Sequence, residues 1–213
     1  MSILEQIREC VIAGNAKNIK EYTDRAVDDG LDVSIILNDG LIAGMNVIGA
    51  LFKNNEVYVP EVLMAARAMH TGLAVIKPLI ASAGLKEKGV VAIGTVKGDM
   101  HDIGKNLVIM MLEGAGYKGI DLGVDVPAEK FLRVVEEQHP QVVGLSALLT
   151  TTMPQMQEIV KKLQAYGDRV KIIVGGAPIT AKFAREIGAD GYAADAASAV
   201  EEVAELIGGK STL

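Results

Sequence analysis

The stretch VVAIGTVKGDMHDIG, residues 90–104, decides the fold of the second half of the chain. Its first seven residues form an apolar run typical of a buried strand, and an amphipathic segment begins at Ile103. The loop between them carries one imidazole, His101, flanked by the carboxylates Asp99 and Asp102. A carboxylate two residues before a histidine can accept a hydrogen bond from one ring nitrogen, which directs the lone pair of the other nitrogen outward. The stretch therefore predicts a strand, a metal- or charge-binding loop and a helix.

The same alternation of apolar runs and amphipathic segments continues beyond this stretch. It predicts an α/β domain with a doubly wound, five-stranded parallel sheet that helices cover on both faces. Ligands bind at the carboxyl ends of the strands in such sheets, where the loop with His101 lies. The predicted strands are 90–96, 119–122, 142–148, 171–175 and 191–194, and the predicted helices lie near 103–115, 128–138, 153–165, 181–187 and 196–207.

The first part of the chain has a helical period instead. Ser2 with Glu5 forms a capping box, and Asn15 can cap a second helix. A third helix fits 34–53, and a fourth starts at Pro60, with either a kink or an early end at Pro78. Short turns between four helices predict an N-terminal four-helix bundle. We expect this bundle at 1–85 and the sheet domain at 89–213, with a polar hinge, 84–89, between them.

Composition excludes several classes of partner. The chain has 213 residues, a net charge of -6 and a pI near 5.2, and no cluster of Lys and Arg suits a nucleic acid. Cys10 is the only cysteine, so neither an internal disulfide nor a thiolate metal cage is expected. The amino terminus lacks a charged-then-apolar leader, and no uninterrupted apolar run has the length of a membrane span. We expect a cytoplasmic protein without a nucleic-acid or membrane partner.

Several ligands were weighed for the His101 loop. Its glycines do not have the spacing of a dinucleotide-binding turn, and they miss the phosphate-binding loop motif by one residue. A bare zinc or iron site would need more nitrogen or sulfur ligands, unless His70 or His139 approached His101. One imidazole is sufficient, however, when a macrocycle supplies the other positions around the metal.

The residues at this point meet a known family. The chain resembles the cobalamin-binding signature Asp-x-His-x-x-Gly, followed at matched distances by Ser-x-Leu and Gly-Gly. The matching positions here are Asp99, His101 and Gly104, then Ser146 and Leu148, then Gly175 and Gly176. With the helical part included, the whole chain resembles the corrinoid proteins of methyltransferase systems. It also resembles the two corresponding modules of cobalamin-dependent methionine synthase, whose second module is a Rossmann-like or flavodoxin-like cobalamin-binding domain.

The resemblance implies a cofactor and a set of site residues. The cofactor would be cobalamin or a related corrinoid, carried as methylcobalamin, with His101 as the lower ligand of cobalt and Asp99 as its hydrogen-bond partner. Thr152 stands where the synthase has the serine of its relay. Small residues would leave a channel for the displaced nucleotide tail, while Phe52 and Val59 match the two side chains that shield the methyl group. Further cofactor-binding positions implied are Gly98, Met100, Asp102, Gly104, Ser146, Leu148, Thr150, Gly175, Gly176 and Ala197.

The resemblance also implies a function, that of a methyl carrier without catalytic activity of its own. It would accept a methyl group from a substrate-specific methyltransferase and pass it to a second methyltransferase that uses a folate or thiol acceptor, with a reductive activating protein as a further partner. Two other functions remain open on the same fold. They are a cobalamin-dependent sensor or regulator and an adenosylcobalamin mutase subunit.

Overall fold

The computed structural model describes residues 1–83 and 86–208. The chain divides into two compact units, Met1–Glu87 with Gly114–Gly116 and Lys88–Glu113 with Tyr117–Leu213. Part of the predicted hinge, residues 84–85, and the predicted end of the second domain, 209–213, lie outside the described residues.

The first unit contains the predicted helices. Ser2 and Glu5 form the expected capping box of α1, and the Asn15 side chain accepts a hydrogen bond from the Asn18 amide at the start of α2. The last helix continues through Pro78, so the early end that we considered there is wrong. These helices are α1 (Ile3–Ile12), α2 (Ala16–Asp28), α3 (Val33–Lys53, with a π-helical segment at Ile36–Ile42) and α4 (Val59–Ser82).

Two of these helices, Val33–Lys53 and Val59–Ile80, are long and apolar enough to cross a membrane by length and composition. That is weak evidence, because the core helices of water-soluble proteins pass the same test. Leu41, Ile48 and Met69 on these two helices are fully buried within the protein. Their apolar character is therefore explained by the core of the helical unit.

The second unit is the predicted α/β domain. All four strand pairs are parallel, and the strand order is β2-β1-β3-β4-β5. The predicted sheet of five parallel strands is confirmed. The strands are β1 (Val90–Thr95), β2 (Lys118–Asp121), β3 (Val142–Ser146), β4 (Lys171–Gly175) and β5 (Gly191–Ala193), and the helices are α5 (Ile103–Gly114), α6 (Ala128–Gln138), α7 (Met153–Leu163), α8 (Ala181–Ile187) and α9 (Ala196–Ile207).

The core of this domain is built from aliphatic side chains around one aromatic ring. Phe131 on α6 is fully buried and lies against β1. A Cβ atom at Gly94 would stand 2.8 Å from Cζ of that ring. Glycine at this strand position therefore admits the ring, which fixes how α6 packs on the sheet.

The third strand is shorter than predicted. We expected it to extend to residue 148, but β3 ends at Ser146. The amides of Leu148 and Leu149 leave the ladder and donate to a side chain from the loop after β1. Apolar sequence alone continues through these positions, so the pattern did not reveal that their backbone groups are bonded elsewhere.

Candidate functional site

The site lies where the winding of the sheet reverses. After β1 the chain crosses to β2 on one side, whereas after β3 it crosses to β4 on the other. The carboxyl ends of β1 and β3 are adjacent, with Thr95 opposite Ser146 in the register. Parallel α/β sheets bind ligands at such a reversal. The loop after β1, residues 96–102, and the loop after β3, residues 147–152, meet there.

The carboxylate of Asp99 joins these two loops. Its side chain is fully buried. Oδ1 accepts hydrogen bonds from Nδ1 of His101 at 2.7 Å and from the His101 amide at 3.1 Å. Oδ2 accepts from the amides of Leu148 at 2.8 Å and Leu149 at 3.1 Å, and from the Thr152 hydroxyl at 3.0 Å. Five donors from two loops therefore converge on one carboxylate.

These donors keep the carboxylate ionised. Burial of Asp99 by itself raises the pKa of its carboxyl group, but the hydrogen bonds from the His101 ring and the peptide amides outweigh that effect. The net result is a pKa of Asp99 well below its ordinary value. At neutral pH the group can therefore only accept hydrogen bonds.

The ionised carboxylate determines the protonation of His101. Because Asp99 accepts, Nδ1 of the imidazole carries the proton, and Nε2 presents a lone pair. The His101 side chain is 51% exposed, so Nε2 is available to a ligand. The buried hydroxyl of Thr95 donates to the His101 carbonyl at 2.8 Å, which holds the backbone of the same residue.

The hydroxyl of Thr152 lies within reach of two acceptors. Besides Oδ2 of Asp99, the carbonyl of Leu149 is 2.8 Å away. One hydroxyl proton can serve only one of these acceptors at a time. The added methyl group of threonine does not prevent the contact with Asp99, which was in doubt from the sequence.

Several other predicted positions surround His101. Met100 is 68% exposed, and Ile103, which we did not predict, is 75% exposed. A Cβ atom at Gly104 would meet no heavy atom within 4 Å. The loop therefore presents apolar surface and open space on the side of the imidazole. Gly98, Asp102, Leu148 and Thr150 are also exposed, Ser146 is half-buried, and Ala197 is buried near the start of α9.

The two adjacent glycines have a different reason from the one expected. We expected small residues at Gly175 and Gly176 to keep a channel open. A Cβ atom at Gly176 would overlap the carbonyl oxygen of Ala147, and φ there is +127°. A Cβ atom at Gly175 would lie 3.0 Å from the carbonyl oxygen of Ala193. Close approach of backbones is therefore sufficient to explain both glycines.

The other two histidines do not belong to the site. His70 lies on α4 in the helical unit, and His139 caps the carboxyl end of α6 in a left-handed conformation. In residues 1–83 and 86–208, no group of three or more His, Cys, Asp or Glu side chains could hold a bare metal ion. Phe52 lies near the end of α3, and Val59 is the first residue of α4, both partly buried.

Sequence reasoning missed several residues that support the loop. Lys105 on α5 is buried, and its Nζ lies 2.6 Å from Oδ1 of Asp121 and 2.6 Å from Oδ1 of Asn106. Asp125 accepts a hydrogen bond from the amide of Gly98. Asp121 ends β2 and Asp125 follows that strand, so their place at the carboxyl end of a parallel strand was an available signal.

The fold and the site together define a class, namely an α/β domain that offers one oriented imidazole to a ligand at the reversal point of its sheet. A family described as B12 binding domain matches residues 89–203, and a second family with the same description matches residues 3–77. The chain is 42% identical to a corrinoid protein of Desulfitobacterium hafniense (strain Y51), covering 98% of this chain and 99% of that protein.

Two further relatives come from Methanosarcina barkeri. The trimethylamine corrinoid protein is 42% identical over 94% of each chain. The crystal structure of the methanol:cobalamin methyltransferase complex MtaBC contains a chain with a TM-score of 0.86 and 32% identity, covering 98% of this chain and 81% of that one. This protein therefore belongs to the B12-binding corrinoid proteins of methyltransferase systems, and its cofactor is cobalamin or a related corrinoid with cobalt.

The residues fit this cofactor. A corrin ring supplies four nitrogen donors to its metal, so a protein needs to add only one. Nε2 of His101 is a single exposed nitrogen donor with a fixed tautomer, and Asp99 is the hydrogen-bond partner that metal-bound histidines commonly have. The exposed side chains of Met100 and Ile103 give an apolar edge beside it. Gly104 leaves the space next to that edge free.

Proposed function

We propose that this chain is a methyl carrier in a multi-component methyltransferase. It accepts a methyl group from a substrate-specific methyltransferase and delivers it to a second methyltransferase with a folate or thiol acceptor. A reductive activating protein serves as a third partner. When bound, the corrinoid supplies a cobalt atom that can hold a methyl group. The protein's own residues bind and orient that cofactor, and the substrates are activated in the partner chains.

One observation carries this proposal, namely the contact between Nδ1 of His101 and the buried carboxylate of Asp99 at 2.7 Å. It fixes the tautomer in which Nε2 can act as the lower ligand. Thr152 and the amides of Leu148 and Leu149 hold Asp99 in place, so the imidazole and its partner move as a unit. Hydrogen bonding to Nδ1 makes Nε2 a stronger donor, by which the chain influences the cofactor.

The remaining assignments extend the same proposal. Residues 1–85 would form the helical cap and 89–213 the cobalamin-binding domain, in agreement with the ranges of the two family matches. Gly98, Met100, Asp102 and Gly104 would contact the corrin edge. Ser146, Thr150, Gly175, Gly176 and Ala197 would line the path of the nucleotide tail, and Phe52 and Val59 would shield the methyl group.

Partners and location follow from the relatives. Their names associate them with trimethylamine, dimethylamine and methanol, each of which presents a methyl group bound to nitrogen or oxygen. We therefore propose a donor methyltransferase for a substrate of this chemical class, and a cytoplasmic location. Mixing the corrinoid-loaded chain with each candidate methyltransferase and its isotopically labelled donor tests this directly. Label on the corrinoid is expected with one donor enzyme, and absence of label with all of them would contradict the carrier role.

The proposed ligand is tested by comparing two histidines. His101→Ala should abolish the absorption spectrum of histidine-coordinated cobalamin, and it should remove the nitrogen splitting from the electron paramagnetic resonance signal of the cobalt(II) state. His139→Ala is the matched control, because it removes an exposed imidazole from the same domain. Its spectra should equal those of the wild type. An unchanged spectrum in His101→Ala would overturn the assignment of the ligand.

A further inference from the structure

The segment after β2, residues 122–127, has no role in the site as described so far. Asp125 in this segment has φ of +51°, one of three non-glycine residues with positive φ in residues 1–83 and 86–208. Aspartate and asparagine adopt this left-handed conformation more readily than other side chains, but it remains uncommon for them. A residue in this conformation is worth examining for what the backbone gains there.

The gain is a pair of hydrogen bonds to the loop that carries His101. The amide of Gly98 donates to Oδ1 of Asp125 at 2.7 Å. The amide of Asp125 donates to the carbonyl of Asp99 at 2.9 Å. The side chain and the backbone of a single residue therefore hold the Gly98–Asp99 segment from both of its polar sides.

Asp125 is itself fixed to the sheet. The amide of Val126 donates to the carbonyl of Thr95 at 2.9 Å, and the amide of Thr95 donates to the carbonyl of Gly123 at 3.0 Å. Val126 also forms a parallel bridge with Val96. The segment after β2 thus continues beside β1 past the end of the regular ladder. The two bonds from Asp125 are made from a rigid support.

We propose that Asp125 is a positioning residue for the axial ligand. By holding the backbone of Gly98 and Asp99, it keeps the Asp99 carboxylate facing Nδ1 of His101, so that Nε2 faces outward. This inference rests on the proposed role of His101. It goes further because it assigns the orientation of the imidazole to a residue in a different loop, which touches neither the ring nor the carboxylate of Asp99.

Three substitutions separate the two properties of Asp125. Asp125→Asn keeps an oxygen acceptor and the tolerance of a left-handed backbone. Asp125→Gly keeps the backbone conformation but removes the acceptor, and Asp125→Ala removes both. His139→Ala is the control for strain, because His139 also has a left-handed backbone, with φ of +49°, but caps a helix outside the site.

Two measurements report on the imidazole, and one reports on stability. Nitrogen-15 NMR of the cofactor-free protein gives the tautomer of His101, the absorption spectrum of the cobalamin-loaded protein gives the histidine-coordinated fraction, and thermal unfolding gives stability. In Asp125→Gly and Asp125→Ala we expect the ratio of the native to the other His101 tautomer to fall about three- to ten-fold, the effect of losing one hydrogen bond. The coordinated fraction should fall with it. Asp125→Asn should stay near the wild type.

Two results would overturn this assignment. One is a wild-type tautomer and spectrum in Asp125→Gly. The other is an equal loss in Asp125→Asn and Asp125→Gly that merely follows their loss of stability, as His139→Ala would show for strain alone. The tautomer is read without cofactor. It therefore tests Asp125 even if His101→Ala were to leave the cobalamin spectrum unchanged and the ligand assignment failed.

Discussion

Two charged side chains are buried in the sheet domain, and their surroundings differ in kind. Asp99 is surrounded by donors without a full charge, namely an imidazole, peptide amides and a hydroxyl. Lys105 instead pairs with a full opposite charge, Asp121, whose side chain is half exposed. Burial of the Asp121 carboxyl group raises its pKa, but hydrogen bonds from Lys105 and Gly123 outweigh this and lower it.

The difference separates orientation from support. Each donor around Asp99 loses its acceptor if the carboxylate is removed, so this charge cannot be replaced by an apolar group. The ion pair of Lys105 ties the first turn of α5 to the end of β2, and an apolar side chain of similar volume can replace a buried ion pair at little cost. We therefore expect the function of the site to depend on the charge of Asp99 and to tolerate loss of the charge of Lys105.

The largest effect is expected from Asp99→Asn. The substitution preserves shape but removes the charge, and its amide group must face some of the five donors. The free energy of unfolding should fall by about 3 kcal/mol in urea denaturation. The asparagine amide can then donate to Nδ1 of His101, which would move the ring proton to Nε2 and block coordination. Nitrogen-15 NMR should show this reversed tautomer, and a wild-type tautomer would contradict our account of the network.

A smaller loss is expected from Asp121→Ala, which leaves the buried ammonium group of Lys105 without its charged partner. Removal of one member of a buried pair costs several kcal/mol, and because Asp121 is half exposed we expect about 2 kcal/mol here. The tautomer of His101 should remain that of the wild type. Urea denaturation and NMR on the same samples measure both quantities. A reversed tautomer in this variant would remove the distinction between the two buried charges.

Much of the fold could be predicted from the sequence, because periodicity and caps are local properties. The capping box of Ser2 and Glu5, the cap at Asn15 and all five strands were predicted within a few residues. The end of β3 at Ser146 was not, because the amides that follow it bond to Asp99, 49 and 50 residues earlier in the chain. Such long-range hydrogen bonds leave no periodic signal.

The site was predictable only in part. The spacing of Asp99 and His101 suggested their contact, because two residues in one short loop can reach each other. The support from Asp125 depends on a left-handed backbone that aspartate adopts only occasionally. Lys105 was missed because lysine is normally exposed. The glycines Gly175 and Gly176 were noticed, but their close backbone contacts could be seen only in three dimensions.

The pH dependence of stability provides a third way to distinguish the two charges. The pKa of Asp99 is lowered in the folded protein, so its contribution is fully present above the unfolded pKa of about 3.9 and is lost as the pH falls through the folded value. The stability difference between the wild type and Asp99→Asn should therefore be smaller at pH 3 than at pH 7 by about 1 kcal/mol. Urea denaturation at several pH values measures it, and an equal difference at both would contradict the lowered pKa.

Thr152→Val should have a similar or slightly smaller effect. It removes the hydroxyl that donates to Oδ2 of Asp99 while nearly preserving the volume, and we expect a loss of about 1 kcal/mol in the free energy of unfolding. Thr152→Ser is the control, because it keeps the hydroxyl, and it should remain closer to the wild type. In the background of Asp99→Asn the cost of Thr152→Val should largely disappear. Additive costs would mean that the hydroxyl mainly serves the carbonyl of Leu149.

The smallest effect is expected from Lys105→Met, which replaces the buried ammonium group with an apolar side chain of similar length. Asp121 would then remain half exposed to water and would still accept the amide of Gly123 at 2.7 Å, so the loss should be less than about 1 kcal/mol. The double variant with Asp121→Ala should be more stable than Asp121→Ala alone, because no unpaired charge stays buried. If Lys105→Met instead costs as much as Asp99→Asn and reverses the tautomer of His101, then the lysine charge also orients the ligand. Support and orientation would then be one network.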